Sequence, residues 1–214
     1  MIASGGNAAA FTRLPHAEAG NRIGLFGGSF NPPHPGHVMV AHTALQRLQL
    51  DQVWWLVTPG NPLKSHGGLA PLAERVSACE KLAQHPQMRV CAVEARLGSA
   101  YTADTVKRLQ VMRPSLQFCW IMGADNLAGF HRWQAWREIM EAVPVAVVNR
   151  PGATLSPLFS PMAIRYGRAR LKEANAAALL KRPAPNWTFL HCPLNATSSS
   201  FLRDIAARHK VSGA

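Results

Sequence analysis

The chain is short of acidic residues: 11 Asp and Glu stand against 23 Lys and Arg, a formal net charge of +12 over 214 residues. An excess of that size leaves three readings open: nucleic acid, small polyanions such as nucleotides, or generic surface charge spread along the chain. No run approaches the roughly 20 uninterrupted apolar residues of a spanning helix. Cysteine is scarce too. Cys79, Cys91, Cys119 and Cys192 form no C-x-x-C pair and no Cys/His ladder, which excludes zinc-finger and dithiol-redox architectures. They read as buried free thiols of a reducing compartment. No Asp/Glu cluster offers a protein-held metal site. Residues Met1 to Asn21 are rich in Ala and Gly and lack a compact apolar core of signal-peptide type, so residues 1–21 are expected to be a mobile arm on a cytoplasmic protein.

What is present is a regular alternation. An apolar fraction of 48% over this length supports one sizeable core, expected as a single domain over 22–214. Ile23 to Phe26 is a short apolar run ending at Gly27-Gly28, and Val38, Ala41, Leu45 and Leu48 follow at helical spacing. Val53 to Val57 reads as a second strand. Pro71 opens a helix with Leu72, Val76, Cys79 and Leu82 on one face. Arg89–Val93, Gln117–Met122, Val143–Val148 and Thr188–Leu190 read as further strands. Helices are expected from Thr102 or Asp104 to about Val111, over Trp136–Ala142, over Ile164–Leu180 with Arg165, Arg168, Arg170 and Lys172 exposed, and over Ser199–Arg208. Strand, helix, strand, repeated, implies an α/β fold: a Rossmann-like, doubly wound parallel sheet. In such sheets ligands sit beyond the carboxyl ends of the strands, so chemistry is expected in the loops after strands one, two, four and six.

The loop after strand one reads Gly27-Gly28-Ser29-Phe30-Asn31-Pro32-Pro33-His34-Pro35-Gly36-His37. Two glycines permit close backbone approach to a ligand, and three prolines stiffen the loop by fixing φ. His34 and His37 are three apart and share a face on a first helical turn. The helix start adds bare N–H groups and partial positive charge. A phosphate cradle follows.

This segment resembles the first signature of the H-x-G-H nucleotidyltransferases, with His34 as the first histidine and Gly36-His37 as the G-H. Thr197-Ser198-Ser199-Ser200-Phe201-Leu202-Arg203 resembles their second signature, of the I-S-S-T-x-I-R kind. A hydroxyl at a helix start can cap the helix and donate to an anion, and Arg203 one turn on can fork to two phosphate oxygens.

Between these ends the chain resembles bacterial nicotinate-nucleotide adenylyltransferases. Asn61-Pro62-Leu63-Lys64 is similar to their N-P-P-H-K loop, departing at Leu63 and in the position of Lys64. Ser99-Ala100-Tyr101-Thr102-Ala103-Asp104-Thr105 is similar to S-Y-T-x-D-T with one residue inserted. Gly123-Ala124-Asp125 resembles G-x-D, Phe130-His131-Arg132-Trp133 resembles F-x-x-W, and Asn149-Arg150-Pro151-Gly152 resembles R-P-G.

The resemblance implies transfer of an adenylyl group from ATP to nicotinate mononucleotide, giving nicotinate adenine dinucleotide and pyrophosphate in NAD biosynthesis. It implies His34, His37 and Arg203 as catalytic residues. Gly27, Gly28, Ser29, Phe30, Ser198 and Ser199 would join them around ATP, with Mg²⁺ carried on the phosphates. Asn61, Lys64, Thr102, Asp125, Trp133 and Arg150 would hold the acceptor, Trp133 offering a flat face to the pyridine ring. Each has a plainer reading: Trp133 can simply pack, Asp125 can cap the next helix, Lys64 can be a solvated loop residue. Trp54, Trp55, Trp120, Trp136 and Trp187 read as packing. A phosphopantetheine adenylyltransferase shares both end motifs but lacks the S-Y-T-x-D-T and F-x-x-W matches. A nucleic-acid-binding protein is opposed by the lack of an RRM, KH or zinc-finger pattern. No membrane partner is expected, and monomer and homodimer both stay open.

Overall fold

The computed structural model describes residues 11–60, 68–99, 101–149 and 156–192. Its frame is one seven-stranded sheet of β1 (Arg22–Gly28), β2 (Gln52–Val57), β3 (Met88–Cys91), β4 (Gln117–Gly123), β5 (Val145–Asn149), β6 (Arg170–Leu171) and β7 (Trp187–His191). The strand order is β3-β2-β1-β4-β5-β7-β6, and every pairing is parallel.

Alternation along the strands divides two cores. Val53, Trp55 and Val57 of β2, with Cys119 and Ile121 of β4, face the layer holding α1 (Pro35–Arg47) and α2 (Leu72–Leu82). Trp54 and Leu56, with Phe118, Trp120 and Met122, face the opposite layer. That layer contains α3 (Val93–Leu97), α4 (Thr102–Met112), α5 (Ala124–Leu127), α6 (Trp136–Ala142) and α7 (Pro161–Arg165). Strands apolar on both faces are what a doubly covered parallel sheet requires. The α/β expectation is met, and the chain folds as one sheet with helices on both faces.

Three expectations change. Ile164–Leu180 is not one helix. α7 ends at Arg165, Gly167–Ala169 forms a single 3₁₀ turn, Arg170–Leu171 becomes β6, and Glu173–Lys181 is 3₁₀. Strand pairing overrides helical periodicity here: Arg170 and Leu171 pair with Trp187 and Thr188, Trp187 Nε1 donates to Tyr166 O at 2.8 Å, and the Arg170 guanidinium lies 5.3 Å over the Trp187 ring. The third strand stops at Cys91, and Val93 opens α3 instead. Part of the expected arm over 1–21 is packed. Phe11 O accepts from Ala92 N at 2.7 Å and Gly20 N donates to Ser115 O at 2.7 Å, while Leu14 and Ala17 lie against the second core. Residues 1–10 lie outside the described residues, as does the expected Ser199–Arg208 helix.

The four cysteines are free and buried. Desolvation pushes the thiols of Cys79, Cys91 and Cys119 up to about 12, which makes them inert packing groups.

Gly27, near the end of β1, has a packing reason as well as a loop reason. A Cβ there would collide with the six-membered ring of Trp120, itself 1% exposed. Gly27→Ala is therefore expected to lower stability by about 1–3 kcal/mol through overpacking, read as a lower urea midpoint at unchanged slope. An unchanged midpoint would show that Trp120 yields freely.

Candidate active site

The strand order reverses at β1. The crossovers after β1 and β2 run through α1 and α2 on one face, and the chain then returns by α3 and α4 on the other face to place β4 on β1's free side. At such a switch point neighbouring loops part to opposite faces and leave a crevice at the carboxyl ends. A cleft of about 430 Å³ lies there, the size of a small-molecule site.

One wall is the loop from Gly27 to His37. β1 stops at Gly28, and Phe30 adopts φ 45, a left-handed conformation that a bulky residue takes only when its surroundings hold it. The holding is aromatic. The Phe30 ring stacks on Trp55 at 5.1 Å and meets Phe26 edge-on at 5.4 Å. Asn31 ties the far side of the loop, donating to Gly68 O at 3.0 Å and accepting from Ala70 N at 3.2 Å. His34 is the N-cap of α1 with Pro35 as its first residue. The backbone N–H of His34 donates to His37 Nδ1 at 3.1 Å, and the two rings lie 3.7 Å apart. With Nδ1 accepting, the His37 proton belongs on Nε2. His37 is half-buried against Phe30 at 5.0 Å, and both histidines line the cleft. The glycines of this loop make room for aromatic rings: Trp120 over Gly27 and Phe30 over Gly28.

The opposite wall comes from the second layer. Tyr101 is the N-cap of α4 and Thr102 its first residue; both line the cleft, so bare N–H groups of the first turn stand at its edge. Gly123 ends β4 and Asp125 follows in the first turn of α5, exposed at the rim. Trp133 is half-buried, edge-on to Phe130 at 5.2 Å and to Trp120 at 6.2 Å.

The structure thus gathers Gly27, Gly28, Ser29, Phe30, His34, His37, Thr102, Asp125 and Trp133 around one space. Asn61, Lys64, Arg150, Ser198, Ser199 and Arg203 lie outside the described residues. The sequence reading passed over several residues on the cleft. Trp120, read only as packing, is buried but also forms part of the wall. Thr58 and Glu94 were missed altogether. The available signal for Glu94 was a lone carboxylate following Cys91-Ala92-Val93. Glu94 is 4% exposed; its Oε1 accepts from Thr105 Oγ1 at 3.0 Å, and its Oε2 has no partner among the described residues. Among the described residues no group of three His, Cys, Asp or Glu side chains is placed to hold a metal ion.

Comparison with known proteins places this geometry in context. The family model described as cytidylyltransferase-like matches residues 25–205. A protein of Rhizobium johnstonii named as a probable nicotinate-nucleotide adenylyltransferase is 54% identical over 191 residues, covering 89% of this chain and 96% of that one. A protein of the same name from Agrobacterium fabrum is 55% identical over 182 residues, 85% of this chain and 97% of that one. Among solved structures, a Plasmodium falciparum nicotinic acid mononucleotide adenylyltransferase complexed with NaAD superposes with a TM-score of 0.62 at 14% identity, over 84% of this chain and 79% of that one. At that identity the superposition supports the fold.

Burial raises the Glu94 carboxyl above its ordinary 4.5, with the hydroxyls of Thr58 and Thr105 offsetting only part of the shift. A carboxyl raised in the folded state stabilises the fold fully below its unfolded value, and that contribution is lost as pH rises through the folded value. Glu94→Gln keeps the shape and the acceptor for Thr105 but cannot ionise. Its melting temperature relative to the parent is therefore expected to climb as pH rises from about 4.5 towards neutrality. A difference independent of pH would contradict a carboxyl raised by burial.

Proposed function

The chain belongs to the nicotinate-nucleotide adenylyltransferases of the cytidylyltransferase-like family, and from that premise we propose the following division of the cleft. The wall from Gly27 to His37 takes the phosphates of ATP. The wall built from Thr102, Asp125 and Trp133 takes nicotinate mononucleotide. The observation that carries this reading is that two helix starts, α1 behind His34 and α4 behind Tyr101, open onto one crevice from opposite layers of the sheet. Each turns partial positive charge towards an anion, and the first-turn N–H groups of α4 add donors on the acceptor side. The α1 end suits phosphate oxygens. The α4 end suits the ring carboxylate of nicotinate, which a helix start prefers to the neutral amide of the nicotinamide form. Trp133 then presents its ring to the pyridine, and Asp125 accepts from ribose hydroxyls.

The reaction is an in-line displacement. A nucleotide phosphate, largely dianionic at neutral pH because its second pKa is near about 6, attacks the α-phosphorus of ATP; the new P–O bond forms as the bond to pyrophosphate breaks. The nucleophile arrives deprotonated, so no general base is required. What the protein supplies is position and charge. His37 donates from Nε2 to the α-phosphate oxygens, where charge builds, and His34 holds the neighbouring phosphates. Ser198, Ser199 and Arg203 are assigned to the β- and γ-phosphates by resemblance, and Asn61, Lys64 and Arg150 to the acceptor side. Mg²⁺ would enter with ATP as part of the substrate and neutralise charge on its phosphates. Catalysis in the cytoplasm, without nucleic-acid or membrane partners, completes the reading.

His37→Ala is expected to lower kcat by at least about 10²-fold, the usual loss when one charge-stabilising donor is removed; a rate within a few-fold of the parent would remove His37 from the role. Trp133→Ala is expected to raise KM for nicotinate mononucleotide by about 5- to 150-fold, the equivalent of about 1–3 kcal/mol of ring stacking, with KM for ATP little changed. Pyrophosphate release, followed with ATP and each of three acceptors, tests the assignment as a whole. Release with nicotinate mononucleotide well above the nicotinamide form is expected. Release only with phosphopantetheine would overturn it.

A further inference from the structure

Arg75 lies on α2 and is 2% exposed. Among the described residues its guanidinium makes four hydrogen bonds, all to backbone carbonyls from three separate segments. Nε donates to Ala70 O at 2.8 Å, and one terminal nitrogen to Ser29 O at 2.7 Å and Thr58 O at 2.8 Å. The other terminal nitrogen donates to Pro59 O at 3.3 Å. No carboxylate among the described residues pairs with it, and the nearby Cys79 thiol, pushed up to about 12 by burial, is neutral. A buried guanidinium without a counter-anion is unusual, since its burial is normally offset by a paired acid.

Its partners are the residues that shape the cleft. Ser29, Phe30 and Thr58 all line it. The Ser29–Phe30 peptide is trans, so with the Ser29 carbonyl turned onto Arg75 the N–H of Phe30 points the opposite way. That N–H has no acceptor among the described residues, and it belongs to the residue held at φ 45. We propose that Arg75 is a positioning residue for the triphosphate: it fixes the Ser29–Phe30 peptide with its N–H turned into the cleft as a donor to a phosphate oxygen, and sets an uncompensated positive charge directly behind that donor. The missing counter-anion is then the nucleotide itself. This inference rests on the Gly27–His37 wall being the ATP side.

The signal in the sequence was a cation where an apolar residue belongs: Arg75 falls three residues after Leu72 and four before Cys79, on the face that α2 buries. Arg75→Lys keeps the charge but has no rigid fork to span Ser29, Thr58 and Ala70; Arg75→Met keeps the length and removes both. Calorimetric titration of the parent and both variants with Mg–ATP, adenosine and nicotinate mononucleotide separates the possibilities. Both variants are expected to lose at least about tenfold in Mg–ATP affinity, the scale of a charge-assisted hydrogen bond, and to hold adenosine and nicotinate mononucleotide within threefold. In turnover, KM for ATP is expected to rise with KM for the acceptor unchanged. If the methionine variant fails to fold, the lysine variant alone decides. A loss below tenfold for Mg–ATP, or equal losses for both substrates, overturns the proposal and leaves Arg75 a purely structural clamp. Failure of the parent itself to bind Mg–ATP would instead overturn the assignment of the wall.

Discussion

Everything in the site depends on the reversal of winding between β1 and β4. A parallel sheet whose crossovers all lay on one face would close its loops over each other. Here α1 leaves β1 towards one layer and α5 leaves β4 towards the other, and the gap between them is the cleft. The strands that flank it are covered on both sides by large side chains, with Trp54, Trp55 and Trp120 all essentially inaccessible to solvent. The crevice is therefore set by the packed core, and its walls have little freedom to move apart.

The loop wall illustrates how rigidity is assembled from ordinary parts. Phe30 is held in a disfavoured backbone region by stacking on Trp55. His37 is oriented by the backbone N–H of His34 and propped by Phe30. Asn31 ties the loop to the segment before α2. Each contact is modest alone. Together they hold the loop in one conformation along the cleft.

Most of this architecture was legible because its signals are local. Apolar runs of strand length, the Gly-Gly turn and the histidines three apart are all short-range patterns, and the strands and the loop that walls the cleft followed from them. What was not legible depends on partners distant in sequence. Arg170–Leu171 becomes a strand only because β7 offers it an edge; within its own segment the helical spacing is the stronger pattern. Residues 1–21 look like a free arm by composition, and the described part from Phe11 on packs through hydrogen bonds between Phe11 and Ala92 and between Gly20 and Ser115. Trp120 reads as core and is core, but its position beside Gly27 and Trp133 makes it a wall of the site as well. Arg75 and Glu94 are single charged residues inside apolar stretches, and their meaning appears only when Ser29, Thr58 and Thr105 are brought to them in space.

The central claim is that both substrates occupy one crevice together and the acceptor phosphate strikes the α-phosphorus directly. ATP made chiral at that phosphorus by a single sulfur substitution reports the geometry of the strike. One direct displacement predicts that the dinucleotide product carries inverted configuration. Retained configuration would mean two successive displacements through an adenylylated side chain, and would contradict the account.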